Sequence, residues 1–185
     1  MTPRAKRGPG DPGRRDRIVA AALAVVTRDG IAALSYRAVA REAAVPLGST
    51  TYYFPQLDDL LAATVERAAA DGLRDLEAWS DTVTSRDELV PRLAGLIHRQ
   101  STTGRARTVV AYELYSLGLR IPRYRELSTP WIGHLRTVLS RHCDPATADA
   151  LTAAADGLQL QSLLRPEPFT EEQLIEVLRR THQPR

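Results

Sequence analysis

Five consecutive hydroxyl side chains are the residues of this chain whose types and spacing could do chemistry: Ser49, Thr50, Thr51, Tyr52 and Tyr53. Serine and threonine hydroxyls hydrogen-bond phosphates or base edges, and tyrosine hydroxyls reach phosphate oxygens. No catalytic motif that would activate a nucleophile is present in the sequence. The stretch favours nucleic-acid recognition, although an ordinary polar surface helix followed by an aromatic core anchor would contain the same residue types.

Two short helices are predicted to position these hydroxyls. Ser35 is a good N-cap for a helix over 36–43, because its hydroxyl can accept from a backbone N–H one turn further on. Pro46 ends that helix and is tolerated in the first turn of a second one, over 47–53, whose length Pro55 limits. Two short helices across a tight turn form a helix-turn-helix, which places its second helix in a DNA major groove.

The sequence around this unit follows an extended pattern. The pattern begins with an alanine-rich helix and a turn that ends in valine. A Gly-Ser pair and an aromatic run ending in phenylalanine come next, and acidic residues followed by leucines then start another helix. These are Val39-Ala40-Arg41-Glu42-Ala43, Val45, Gly48-Ser49, Tyr52-Tyr53-Phe54 and Asp58-Asp59-Leu60-Leu61. Over about residues 14–61 the chain resembles the tetracycline-repressor (TetR) family of one-component bacterial regulators. The resemblance implies an all-α fold, in which an N-terminal three-helix DNA-binding domain precedes a helical bundle for ligand binding and dimerisation.

Three residues depart from the family pattern. Ala44 stands where the family usually has glycine, so the turn should carry left-handed backbone strain on the order of 1 kcal/mol. Thr51 replaces a frequent tyrosine, and Leu57 replaces a frequent lysine that would touch phosphate. The last two departures concern individual DNA contacts and leave the predicted fold unchanged.

The helix-turn-helix interpretation identifies a set of residues for groove and phosphate contacts. Glycine at position 48 would let the backbone approach DNA closely. Neither Thr50 nor Thr51 is expected in the core, so alanine at either position should leave the melting temperature unchanged. The predicted DNA-binding residues are Arg14, Arg15, Ser35, Tyr36, Arg37, Pro46, Leu47, Gly48, Ser49, Thr50, Thr51, Tyr52 and Tyr53.

The basic excess of the chain is concentrated at its N-terminus. Residues 1–17 hold six basic and two acidic side chains, whereas the formal net charge of all 185 residues is only +3. Residues 1–13 are rich in proline and glycine and are predicted to be a disordered basic arm. Such an arm suits phosphate or minor-groove contact. A tail that only improves solubility is the alternative.

The sequence pattern of the remaining chain predicts helices and no strands. The predicted helices span 14–29, 36–43, 47–53, 57–81, 86–102, 105–120, 122–142, 145–165 and 170–180, about nine in all, which is the number that the resemblance implies. We assign residues 14–56 to DNA binding and residues 57–185 to effector binding and dimerisation.

Composition narrows the class of protein. One cysteine, Cys143, excludes an internal disulfide, and no apolar run approaches the ~20 residues of a membrane span. The basic N-terminus lacks the apolar stretch of a signal peptide. We therefore expect a cytoplasmic protein with no membrane partner, no cofactor and no metal site.

Two residue sets in the second domain are predicted to bind partners. The family's body domains commonly bind a small effector, and aromatic and polar residues of the middle helices could surround a pocket for one, although each alone is more often core or surface. These are Trp79, His98, Tyr112, Glu113, Tyr115, Trp131, His134 and Gln159.

Small and apolar residues of the last two helices form the other set. In TetR relatives the equivalent helices form a four-helix dimer interface, and Leu158→Arg should then impair dimerisation; the alternative is that these helices only close the monomer core. The residues are Leu151, Ala154, Ala155, Leu158, Ser162, Leu174, Val177 and Leu178.

The sequence as a whole predicts a homodimeric transcriptional regulator, most often a repressor in this family, that binds a palindromic double-stranded DNA operator and responds to a small-molecule effector. A helical enzyme that uses the central pocket is one alternative. A protein-binding adaptor that no longer contacts DNA is the other, and Thr51 and Leu57 are the residues that favour it.

Overall fold

The computed structural model describes residue 11 and residues 13–182, except the side chains of residues 128–132 and 182. Of the predicted basic arm, only Asp11 and Gly13 belong to the described part, and the rest of the arm lies outside it. The described residues form helices and turns and contain no strand, which confirms the all-α class. No helix among them is both long and apolar enough to span a lipid bilayer.

Nine α-helices and one 3-10 helix follow one another in the described residues. They are α1 (Arg14–Asp29), a 3-10 helix (Ile31–Ala33), α2 (Tyr36–Glu42), α3 (Leu47–Tyr53), α4 (Leu57–Ser80), α5 (Arg86–Ser101), α6 (Arg105–Arg120), α7 (Pro122–Leu139), α8 (Pro145–Leu164) and α9 (Glu171–His182). The predicted bounds agree closely except at the end of α7. That helix stops at Leu139, whose carbonyl oxygen accepts from the N–H groups of His142 and Cys143 in a turn.

The chain forms two compact units that divide between Thr64 and Val65. In the first unit α1 packs on the helix-turn-helix, because two helices of seven residues each have too little apolar surface to form a core alone. The fully buried side chains at its centre are Ile18, Ala22, Val39 and Leu60.

The turn between α2 and α3 has the hydrogen bonds of a Schellman motif. The N–H of Val45 donates to the carbonyl of Ala40 at 3.0 Å, and the N–H of Ala44 donates to the carbonyl of Arg41 at 3.3 Å. This motif requires a left-handed residue between them, and Ala44 has φ of 51°. The strain predicted for Ala44 is therefore confirmed.

We expect Ala44→Gly to stabilise the protein by roughly 0.5–1 kcal/mol, because relief of ~1–2 kcal/mol of left-handed strain exceeds the extra chain entropy that glycine loses on folding. A matched control is Ala43→Gly, one residue earlier, where φ is −76° and nothing is relieved. That variant should lose roughly 0.5–1 kcal/mol. Urea unfolding followed by circular dichroism measures both, and equal destabilisation would contradict a strained Ala44.

The second unit is built around α5, α8 and α9. Its central side chains have no solvent exposure: Leu89, Leu93, Leu151, Leu174 and Leu178. The N-terminal ends of α8 and α9 are capped by Asp144, which accepts from the N–H of Thr147, and by Thr170, which accepts from the N–H of Gln173.

Ser85 and Glu88 have the spacing of a capping box at the start of α5, but their hydrogen bonds differ from that motif. The Ser85 side chain makes no capping hydrogen bond, and Glu88 accepts from the N–H and the hydroxyl of Thr84 at 3.2 and 2.9 Å instead. The carboxylate therefore reaches back one residue further than a capping box requires.

Candidate nucleic-acid interface and ligand cavity

The outer face of α3 consists of four exposed residues: Leu47, Gly48, Thr51 and Tyr52. Leu47 is 45% exposed and Tyr52 is 72% exposed, although both are large apolar or aromatic side chains that usually prefer burial. A Cβ atom at position 48 would meet nothing within 4 Å, so the fold itself does not require glycine there. We call these four residues the recognition face.

Thr50 does not belong to this face. Its side chain has no solvent exposure, and its hydroxyl donates to the carbonyl of Leu47 at 2.7 Å. This contradicts the expectation that Thr50 lies outside the core, so alanine at position 50 should lower the melting temperature by removing a buried methyl group and a part-buried hydrogen bond. Thr51, by contrast, is exposed and makes only a long 3.4 Å contact to the carbonyl of Gly48.

Other predicted contact residues also hold the unit together. The Tyr36 hydroxyl donates to the carbonyl of Phe54 at 2.8 Å, and burial raises the pKa of this tyrosine. Ser35 accepts from the N–H of Ala38, as predicted for an N-cap. Tyr53 packs against the core of the unit and meets the Tyr52 ring edge-on, with 5.2 Å between ring centroids. Ser49 is half-buried.

Basic side chains of this unit lie on α1 and α2. The Arg15 guanidinium lies 5.1 Å from the centroid of the Phe54 ring, and Arg14 lies 3.9 Å from the Asp11 carboxylate. Arg37 and Arg41 are exposed and four residues apart, so they share one face of α2. Arg41 is not among the DNA-binding residues predicted from the sequence, although this spacing could have identified it. Pro46 is exposed at the start of α3.

A small apolar cavity lies between α4, α6 and α7 in the second unit. Its volume is about 30 Å³ and its lining is Val65, Ala68, Ala69, Ala111, Leu114, Tyr115 and Leu127. Ligand pockets for drug-sized molecules are roughly 300–1,000 Å³, so α4, α6 and α7 would have to separate before such a molecule could enter.

Most residues predicted for the effector pocket lie elsewhere. Only Tyr115 lines the cavity. Trp79 is buried in the core, where its Nε1 donates to the carbonyl of Arg92. His98 Nδ1 lies 3.0 Å from the carbonyl oxygen of Phe169. Of these three residues only Trp79 is buried, whereas His98 is half-buried and Tyr115 is exposed, so the sequence could not separate core positions from pocket positions.

The remaining predicted pocket residues lie in different parts of the second unit. His134 Nε2 lies 3.0 Å from Glu77 Oε1, although it is not aligned for a hydrogen bond, and the hydrogen bonds of Arg141 are the main cause that lowers the pKa of Glu77. Glu113 is half-buried, and the Trp131 side chain lies outside the described residues. Tyr112 extends from α6 to the backbone of α8, and Gln159 on α8 contacts Ser101 of α5. Among the described residues, no three His, Cys, Asp or Glu side chains are grouped as metal ligands.

The predicted dimer residues are mostly enclosed within the monomer. Leu151, Ala155, Leu158, Ser162, Leu174 and Leu178 are all buried. Leu158 belongs to the core cluster of its own unit, so we now expect Leu158→Arg to disrupt that core and not to impair dimerisation alone. Ala154 is half-buried, and Val177 is 44% exposed.

The opposite face of α8 is uncharged and open to solvent. Leu160 and Leu164 are 44% and 77% exposed, and Ala153 and Gly157 precede them at helical spacing. A Cβ atom at position 157 would meet nothing within 4 Å. We call these four residues the α8 outer face.

Residues 84–184, more than half of the chain, match the family model of the tetracyclin repressor-like C-terminal domain. The chain belongs to the TetR family. It is a DNA-binding transcriptional regulator of the ligand-responsive kind, which confirms the family, the fold class and the general function predicted from the sequence.

Individual relatives agree over nearly the whole chain. The TetR-family protein SCO1917 of Streptomyces coelicolor A3 is 40% identical, with a TM-score of 0.78 over 94% of this chain and 100% of that one. The multidrug-binding protein EbrR, solved with ethidium, is 42% identical, with a TM-score of 0.78 over 92% of this chain and 99% of that one. The regulator BetI of Paraburkholderia phytofirmans is 27% identical, over 89% of each chain.

Proposed function

We propose that this TetR-family regulator represses transcription in the cytoplasm, binding a near-palindromic operator as a homodimer and releasing it when an aromatic effector binds. Residues 14–56 would contact DNA, and residues 57–185 would hold the effector and the dimer interface. The observation that carries the proposal is the recognition face of α3, where large side chains stay exposed on a helix that the Schellman turn fixes against α2. Exposed Leu47 and Tyr52 need a partner surface, and DNA supplies one.

The recognition face suits a major groove. Its Leu47 side chain can contact a thymine methyl group, and Thr51 and Tyr52 offer hydroxyls to base edges or phosphates. Arg37 and Arg41 on α2 and Arg15 on α1 supply the positive charge that attracts the DNA backbone. Short side chains give weak base discrimination, at the low end of ~1–3 kcal/mol for each base pair.

Thr51→Ala and Thr50→Ala test this assignment as a matched pair. Thr51→Ala should keep the wild-type melting temperature and weaken operator binding by roughly 1 kcal/mol for each subunit. Thr50→Ala should destabilise the fold by ~1–2 kcal/mol and leave operator binding of the folded protein unchanged. Thermal unfolding and mobility shifts on the chain's own upstream DNA measure the two effects. The recognition face is assigned incorrectly if Thr51→Ala binds every DNA as the wild type does.

A homodimer would use the α8 outer face. Leu160 and Leu164 expose apolar surface that association with a second copy would bury, and Ala153 and Gly157 allow two helices to approach closely. Val177 would extend this surface onto α9. Two symmetric copies then present two α3 helices, which fit half-sites roughly 34–36 Å apart or a multiple of that spacing.

The effector would enter the second unit. EbrR has been solved with the planar dyes proflavin and ethidium at 41% and 42% identity to this chain. We propose flat aromatic compounds as the effectors of this protein too. The cavity beside Tyr115 would enlarge to admit them, and displacement of α4, which lines it and continues from the first unit, would transmit the signal.

A further inference from the structure

An acidic side chain on α8 has no partner. The Asp156 carboxylate takes part in no hydrogen bond or ion pair in the described part of the chain, and desolvation by the surrounding protein raises its pKa. Solvent nevertheless reaches this residue. Its carboxylate is therefore open to a positively charged partner from solvent. Other acidic residues of this unit, such as Asp149 and Glu77, pair with arginines.

Tyr112 of α6 lies beside this carboxylate. Its hydroxyl donates to the backbone carbonyl of Asp156 at 3.2 Å, so its proton is committed to the main chain and does not neutralise the acid. Burial is the main cause that raises the pKa of Tyr112, and the Asp156 charge adds to it. The phenol therefore stays neutral near physiological pH, and the local negative charge belongs to Asp156.

A second acceptor without a partner follows three residues later on α8. Gln159 is 6% exposed, and its Nε2 donates to Ser101 Oγ at 2.7 Å. Because Ser101 Oγ itself donates to the carbonyl of Ile97, it can only accept from Gln159, which fixes the orientation of the amide. Gln159 Oε1 is therefore the atom left without a partner among the described residues. A buried acceptor in this state needs a donor.

Tyr112 lies one helical turn from a residue that lines the apolar cavity. Tyr112 and Tyr115 are three residues apart and share a face of α6, and Tyr115 lines the cavity together with Ala111 and Leu114. Tyr115 at the cavity and Asp156 on α8 are therefore connected through Tyr112, whose hydroxyl contacts the Asp156 backbone. This combination recognises an organic cation, because ring faces and a carboxylate both attract positive charge.

We propose that the row Tyr115, Tyr112 and Asp156 binds a planar aromatic cation, with Asp156 pairing its charge and Gln159 Oε1 accepting from an N–H of the ligand. The proposal rests on the proposed function, which places an aromatic effector in this unit, and it adds that the charge of the effector selects it.

Two dyes and two variants test the proposal. Proflavin is a cation near neutral pH, whereas acridine has the same ring system and is neutral there. Both are titrated by fluorescence without DNA, because such dyes intercalate. Asp156→Asn should weaken proflavin binding by roughly 10- to 100-fold, the range for losing one charged partner, and leave acridine binding unchanged. The control Asp149→Asn removes an α8 carboxylate that already pairs with Arg136, and it should change neither affinity.

The outcomes separate this inference from the proposed function. If Asp156→Asn weakens the binding of both dyes equally, Asp156 has a structural role and the cation site is overturned. Unchanged proflavin binding would overturn the cation site as well. In both cases the proposal of an aromatic effector would remain. If the wild type binds neither dye but still binds its operator, both the cation site and the aromatic effector fail, and the DNA-binding role remains. Operator binding by Asp156→Asn without dye should match the wild type.

Discussion

Leu160→Arg should convert the protein from a dimer to a monomer without unfolding it. Leu160 is 44% exposed in the monomer, so arginine can point into solvent there without disturbing the core. In the proposed dimer the same position is buried twice, once in each subunit. Losing two leucine contacts costs about 3–6 kcal/mol, which weakens association by roughly two to four powers of ten. Light scattering at micromolar concentration measures the mass, and circular dichroism checks the fold.

Two variants make this result interpretable. Leu119→Arg places the same charge on another exposed leucine, on α6, and should remain a dimer. Leu158→Arg lies two residues from Leu160 but in the core of the unit, and it should lose helicity instead of dissociating cleanly. A Leu160→Arg protein that stays dimeric at micromolar concentration would show that the α8 outer face is not the interface.

Gly48→Glu should abolish operator binding and raise the stability of the fold. Glutamate is favoured over glycine in a helix by about 0.5–1 kcal/mol, and an acidic side chain in the first turn gains a further ~0.3–1 kcal/mol from the helix dipole. Open space at the Gly48 Cβ position accommodates the side chain. On DNA the new carboxylate faces phosphates, and such like-charge contacts cost several kcal/mol for each subunit. Binding should fall by at least about 100-fold.

Controls separate charge, size and position. Gly48→Gln introduces a side chain of nearly the same size without the charge. The difference in operator affinity between Gly48→Gln and Gly48→Glu therefore measures the electrostatic repulsion. Gly133→Glu adds the same charge at an exposed glycine of α7 with equally open space, and it should keep wild-type operator affinity. Fluorescence anisotropy with labelled upstream DNA gives the affinities. Normal operator binding by Gly48→Glu would exclude α3 from the DNA interface.

Local features of the fold could be predicted from the sequence because local chemistry causes them. Prolines at 46, 122 and 145 fix where helices begin, and Gly30 ends α1 with a positive φ of 83° that other residues avoid. The strain at Ala44 was predicted from the family pattern, which usually has glycine at this position, and the Schellman turn explains why a left-handed residue is needed there. The family pattern around the helix-turn-helix then identified the class of protein.

Tertiary packing decided which side chains of a helix are exposed to solvent and which are buried in the core. Thr50 and Thr51 are adjacent and chemically identical, yet one is fully buried and the other is exposed. On α8 the apolar residues read from the sequence, including Leu151 and Leu158, close the monomer, whereas Leu160 and Leu164 remain open. Helical spacing states which side chains share a face, but both faces of α8 are apolar, so only contact with α5, α7 and α9 decides which one is buried. The unpartnered state of Asp156 was equally beyond the sequence, because a missing partner is a property of the neighbouring helices and not of the residue itself.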